Sequence, residues 1–150
     1  MTAVHPAWSR PATRSVELPF VLSSVREARR TLSQELAVAE VADPERGDVL
    51  VVLSELLGNS VRHARPLENG RVRVLWRVRA DEVEVAVADG GALTQPRAER
   101  PPFAALSGRG LGIVDALAGS WGVEGAGTHN QLVWAVVPRP GLPVAPDPSS

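Results

Sequence analysis

The sequence contains no cysteine, so no disulfide framework holds the fold and no thiolate carries out chemistry. It also lacks lysine, and all sixteen basic residues are arginine. A P-loop, which places a lysine on nucleotide phosphates, is therefore excluded. Neither charge sign dominates. Seventeen acidic residues against sixteen basic ones leave a net charge of −1, which gives no field to draw in nucleic acid or an anionic membrane. No apolar run approaches the ~20 residues of a membrane span. The N-terminal stretch MTAVHPAWSRPATRS lacks the apolar centre of a signal peptide. These absences predict a soluble cytoplasmic protein with no membrane and no direct nucleic-acid partner. Apolar residues, by contrast, make up 44% of the 150 positions, enough for one domain with a real core.

The chain divides into three parts. Residues 1–14 read as a loose leader, 15–137 as the folded body and 138–150 as a tail. Prolines recur every two or three residues in the tail, so it cannot donate regular backbone hydrogen bonds and is expected to be extended or disordered. Within the body, SVELPF reads as a short strand. The following SSVREARRTLSQELAVAEV reads as a helix, with Ser24 and Glu27 as a capping-box pair and Val25, Ala28, Leu32 and Leu36 at helical spacing. Asp43-Pro44 opens a second helix that runs to about Ala64. Valines then alternate with arginines over 71–79 and with glutamates over 82–87. This period of two predicts a hairpin with one buried face and cross-strand ion pairs on the other. A short helix after GRGLG and two strands, WGVEG and QLVWAVV, complete the order. The expected fold is an α/β two-layer sandwich, with one mixed, mainly antiparallel sheet and helices on one face.

Three segments carry chemistry. In LSELLGNSVRHA, Leu50, Leu53, Leu57, Val61 and Ala64 form an apolar stripe, while Glu55, Asn59, Arg62 and His63 gather on the opposite side. Glu55 and Asn59 are neighbours one turn apart. A solvated helix face would look similar, but asparagine is a mediocre helix former and Val52 and Leu56 border the same face. A carboxylate beside an amide oxygen suits a hard cation such as magnesium. In VADGGALTQP, Asp89 ends a strand and Gly91 follows two residues later. Asp-Gly is a common turn pair, and the same carboxylate can accept a hydrogen bond from an exocyclic amine such as that of adenine. In LSGRGLGIVDALAG, Gly108, Gly110 and Gly112 stand at the entrance to a helix, where free N–H groups make a phosphate cradle. A dinucleotide fold uses similar glycines but needs a strand immediately before them, and ERPPFAAL is not one.

Taken in order, these segments are Glu-x-x-x-Asn on a helix, Asp-x-Gly after a strand, Gly-x-Gly-x-Gly opening a helix, and Gly127-Thr128 before the last strand. The set resembles the GHKL ATPase superfamily, the group of gyrase, MutL and histidine kinase ATP domains. The short chain and the LSELLGNSVRHA wording are similar to the anti-sigma-factor serine/threonine kinases of the RsbW and SpoIIAB type. The resemblance covers roughly residues 15 to 137 and implies a Bergerat-type ATP-binding sandwich. It implies that Asn59 binds the magnesium bridging the ATP phosphates and that Glu55 is the general base. Asp89 and Gly91 would hold adenine, and Thr128 would support the adenine end. Gly108, Arg109, Gly110, Leu111 and Gly112 would wrap the phosphates, and a lid would span about 92–107. The implied partners are an anti-anti-sigma (STAS-type) protein carrying the acceptor serine and a sigma factor. Dimers are common in the resembled family. Two positions depart from its pattern. Leu93 stands where a second glycine is usual, and Leu106 where many members place an arginine. An alternative function is a non-catalytic, nucleotide-responsive module that sequesters a sigma factor or another regulator.

Overall fold

The computed structural model describes residues 12–92 and 111–139. The expected leader up to residue 11, the lid beyond 92, and the tail from 140 onward lie outside these residues. The described chain runs β1 (Arg14–Pro19), α1 (Ser24–Val38), α2 (Asp43–His63), β2 (Arg71–Val78), β3 (Glu82–Asp89), α3 (Gly112–Leu117), β4 (Ser120–Glu124) and β5 (Gln131–Pro138). The element order is the one the periodicities predict.

The five strands form one sheet in the order β1-β2-β3-β5-β4. All four pairings are antiparallel, so the described sheet has no parallel pair where the sequence left room for a mixed one. Alternation assigns the faces. Val72, Val74, Trp76, Val83, Val85, Val87 and Val133 point to one side and join the main core with the buried residues of α1 and α2. A smaller cluster of Leu75, Ala86 and Leu132 lies on the other side.

The first helix does not form the expected capping box. Its N-cap is Ser23, and no side chain caps it. Ser24 is buried and donates its hydroxyl to the Pro19 carbonyl at 2.7 Å, which ties the helix start to the end of β1. The helix closes with Val41 N–H on Leu36 O and Glu40 N–H on Ala37 O, both at 3.0 Å. This is the Schellman pairing, with Glu40 at φ 59 where glycine is usual.

Helix α2 is buried more widely than a single stripe. Val49, Val52, Leu53 and Leu57 are 0% exposed and Leu56 is 2% exposed. The reason is its position, because it contacts α1, α3, β3 and β5 together. Its N-cap is Ala42, one residue before the expected Asp43, with proline in the first turn. So the face that carries Asn59 is not a solvent face: Asn59 is 7% exposed.

Candidate functional site

The site forms where the C-terminal half of α2 crosses the ends of β3 and β5. Asp89 is the last residue of β3, and its Cα partner on β5 is Gln131, the first residue there. Both share the inner face with the core valines, so both point toward α2. One helical turn of α2 supplies Asn59, Ser60 and His63 to the wall of the same pocket. Leu56, Leu111 and Val133 give it apolar sides. An apolar cleft with a few converging polar groups is the usual form of a small-molecule site.

Two backbone crossings hold this end of the molecule. After α2, Arg65 N–H donates to Gly91 O at 2.8 Å and Gly90 N–H donates to Arg65 O at 2.7 Å. Ala64 and Ala92 form an antiparallel bridge. The glycines here are required by space. A Cβ on Gly90 would lie 2.1 Å from Pro66 O. One on Gly91, at φ +96, would lie 2.2 Å from Thr128 O. The helix end and the strand end are thereby locked in one register, which brings Ser60 to Asp89.

Asp89 is 1% exposed. Its Oδ2 accepts a hydrogen bond from the Ser60 hydroxyl, and its Oδ1 accepts one from Gly91 N–H at 2.8 Å. The Gly91 bond is the Asx-type turn that an Asp-Gly pair suggests. The carboxyl is thus both a turn former and a pocket group. Burial pushes its pKa from 3.8 up to about 6, against the opposing pull of the two hydrogen bonds. Each carboxylate oxygen has two lone-pair sites, so acceptor capacity remains for a ligand amine.

Asn59 is the second unusual group. Its Nδ2 is buried and has no hydrogen-bond partner among the described residues. Rotating the amide exchanges oxygen and nitrogen at that spot, so one polar atom is left for a ligand either way. Leaving such a group unmade costs on the order of 1–3 kcal/mol.

The other predicted residues divide. Glu55 is half-buried one turn before Asn59, but it is not among the residues lining the pocket. Leu111 is 1% exposed and in the wall, while Gly112 begins α3 and is exposed. Thr128 is exposed, and its hydroxyl donates to Gly125 O at 2.6 Å and accepts from Asn130 N–H at 3.2 Å, within its own turn. Its backbone carbonyl is the part that meets Gly91. Gly108, Arg109 and Gly110, like Leu93 and Leu106, lie outside the described residues. None of Trp76, Trp121 and Trp134 lines the pocket, in keeping with packing roles.

Sequence reading did not single out Ser60 or Gln131. Ser60 follows Asn59 directly, but its partner is 29 positions away. Gln131 is defined only by strand register, which no local pattern states.

The sequence matches the histidine kinase-like ATPase domain over residues 18–134. The chain belongs to that family. The match runs from the end of β1 to the middle of β5 and includes Asn59, Asp89 and Gln131. Among solved structures, this ATPase-like domain is similar to the crystal structure of the RsbU and RsbW domains of Rv1364c from Mycobacterium tuberculosis. That match has a TM-score of 0.64, 19% sequence identity, and coverage of 85% of this chain and 33% of that chain. The present chain thus spans about a third of that structure. At this identity the likeness establishes the fold. No curated protein matches the sequence. No described helix is long and apolar enough to cross a membrane.

Proposed function

We propose that this ATPase-like domain binds ATP with magnesium and acts as an anti-sigma-type serine/threonine protein kinase on a serine of an anti-anti-sigma (STAS-type) partner. The observation that carries the nucleotide part is the pairing of two costly groups in one pocket. Among the described residues, Asp89 is a buried carboxyl held by neutral donors, and Asn59 keeps a buried polar atom unpaired. A nucleotide would satisfy both: Asp89 would accept from its adenine amine, and Asn59 would hold its phosphate end with the cation. Among the described residues no cluster of three acidic, histidine or cysteine side chains could hold a metal. That fits magnesium, which uses one or two protein groups and takes the rest of its shell from phosphates and water. When bound, the ion neutralises phosphate charge. The chain's own residues do the remaining work: Asp89 and Gly91 orient the base, and Asn59 fixes the phosphate end.

In the kinase reading, the partner's serine oxygen bonds to the γ-phosphorus while the bond to the β,γ-bridging oxygen breaks. ADP leaves, and Glu55 takes the serine proton. Positioning and charge neutralisation supply most of the catalysis in such transfers. One observation favours a second reading. Glu55 stands outside the pocket wall, as a nucleotide-responsive binding module that sequesters a sigma factor without turnover would permit.

Calorimetric titration with ATP, with and without magnesium, tests the nucleotide part. Wild type should bind, and Asn59→Ala should remove the magnesium dependence. Absence of binding by folded protein at millimolar ATP would end both readings. Radiolabelled transfer to a cognate partner, lost in Glu55→Gln, then selects the kinase. Complex formation without transfer selects the module.

A further inference from the structure

We propose that Gln131 is a base-reading residue whose side-chain amide completes, beside Asp89, the recognition of the adenine edge. This rests on the nucleotide reading above and adds to it a specificity-determining residue.

The sheet places the two groups. Asp89 and Gln131 are direct Cα partners across β3 and β5, on the face that looks into the pocket. Both line that pocket. Gln131 is 4% exposed, one of the few buried polar residues of the chain's described part. A polar side chain at the buried start of a core strand calls for a polar partner, and a ligand in the pocket can supply it. Every other β5 residue with that orientation is apolar: Val133, Ala135 and Val137. On this inner face, the exception falls at the rung that meets Asp89.

Thr128, the residue expected to support the adenine end, is three positions earlier. Its hydroxyl is committed to the Gly125–Asn130 turn. Strand register gives the seat beside Asp89 to Gln131 instead.

The chemistry of the pair matches the amine and ring-nitrogen edge of adenine and separates it from guanine. Adenine presents an amine donor next to a ring-nitrogen acceptor. The carboxylate accepts from the amine, and the glutamine N–H₂ group donates to the neighbouring ring nitrogen N1. Guanine presents a carbonyl and an N–H in those two places. Its carbonyl would face the carboxylate, acceptor against acceptor. Asp89 thus rejects guanine, while Gln131 contributes the second bond and fixes the ring in plane.

The test pairs a ligand change with a protein change. ATP and 1-deaza-ATP, in which N1 is replaced by C–H, are titrated into wild type and Gln131→Leu. Wild type should bind 1-deaza-ATP about tenfold more weakly than ATP, the effect of one lost hydrogen bond. Gln131→Leu should bind ATP about tenfold more weakly than wild type and show no further loss with 1-deaza-ATP. A variant that keeps the full N1 discrimination overturns the inference, as does a wild type that shows none. Gln131→Met, unbranched like glutamine, replaces the leucine variant if that one does not fold. The two levels of failure differ. A wild type that binds no ATP removes the nucleotide reading itself, whereas ATP binding with unchanged N1 discrimination removes only the role of Gln131.

Discussion

Two carboxylates on β3, five residues apart, are buried in opposite ways. Glu84 lies on the outer face at 7% exposure and is met across the sheet by Arg77, itself 4% exposed. Arg79 approaches the same carboxylate at 3.6 Å. Asp89 lies on the inner face at 1% exposure, and its hydrogen bonds come from a hydroxyl and a backbone N–H. The first charge is neutralised within the fold. The second is oriented by neutral groups, with no counter-charge bonded to it among the described residues. A buried charge with a matched counter-charge is a structural feature, because nothing remains for a ligand to do. A buried carboxyl fixed by neutral donors at the floor of a pocket retains its capacity to bind.

The sharpest way to break the comparison is to remove one half of the structural pair. Arg77→Met leaves Glu84 buried without its main partner and should cost about 3–5 kcal/mol in urea unfolding. The double change Arg77→Met with Glu84→Met should recover most of that loss, since apolar replacements of a buried pair are often neutral. A single variant that unfolds like wild type would mean the pair is worth no more than a surface contact.

The next effect is a pH dependence with a definite sign. The folded pKa of Asp89 lies near 6 against 3.8 for the unconstrained group. Between those values the folded state binds more protons than the unfolded one, so this group's contribution falls as pH rises. It is fully present below about pH 4 and lost above pH 6, a change of about 3 kcal/mol at most. Other carboxylates act in the opposite direction, so the readout is a difference. The stability of wild type minus that of Asp89→Asn should decline from pH 4 to pH 7. A flat difference would mean the carboxyl is not desolvated. ATP affinity should move the other way, rising with pH up to about 6 and then levelling, because ionised Asp89 is the better acceptor.

A smaller gain in stability should accompany loss of function at Asn59. Asn59→Leu removes a buried amide whose Nδ2 has no partner among the described residues. It should stabilise the ligand-free protein by about 1–2 kcal/mol while abolishing magnesium-dependent binding. A destabilised variant would show that the amide is satisfied in the free protein.

Much of this was legible in the sequence, and what was not has a physical explanation. Element types and their order follow from periodicity, because β2 and β3 alternate cleanly and α1 repeats at 3–4 residues. The outer-face ion pairs were visible as arginines beside glutamates. The burial of α2 was only half visible. A one-stripe pattern describes a helix on a sheet, whereas α2 also contacts α1 and α3, so Val52 and Leu56 are as buried as Leu53. The capping box failed because Ser24 found a better acceptor in the Pro19 carbonyl, a contact between elements rather than within one. At the site, Asp89 and Asn59 stood out by type and position. Ser60 and Gln131 did not, because their importance lies in what sits opposite them.

The smallest effect refines the comparison with a third carboxylate, on the same outer face as Glu84. Glu17 on β1 pairs with Arg73 on β2 at 2.8 Å, with side chains 36% and 39% exposed. Asn69 adds a hydrogen bond to the other oxygen at 3.0 Å. The Arg73 hydrogen bond leads the causes that hold the Glu17 carboxyl below its usual range. The chemistry is that of Arg77–Glu84 with water admitted. Solvent screening removes most of the Coulomb gain, and ordering two long side chains offsets much of the remainder. Glu17→Gln should therefore leave the urea midpoint within error at physiological salt, although Arg77→Met, four residues beyond Arg73 on β2, should shift it strongly. If the two substitutions cost the same, burial is not what separates these pairs, and the contrast between Glu84 and Asp89 would need a different cause.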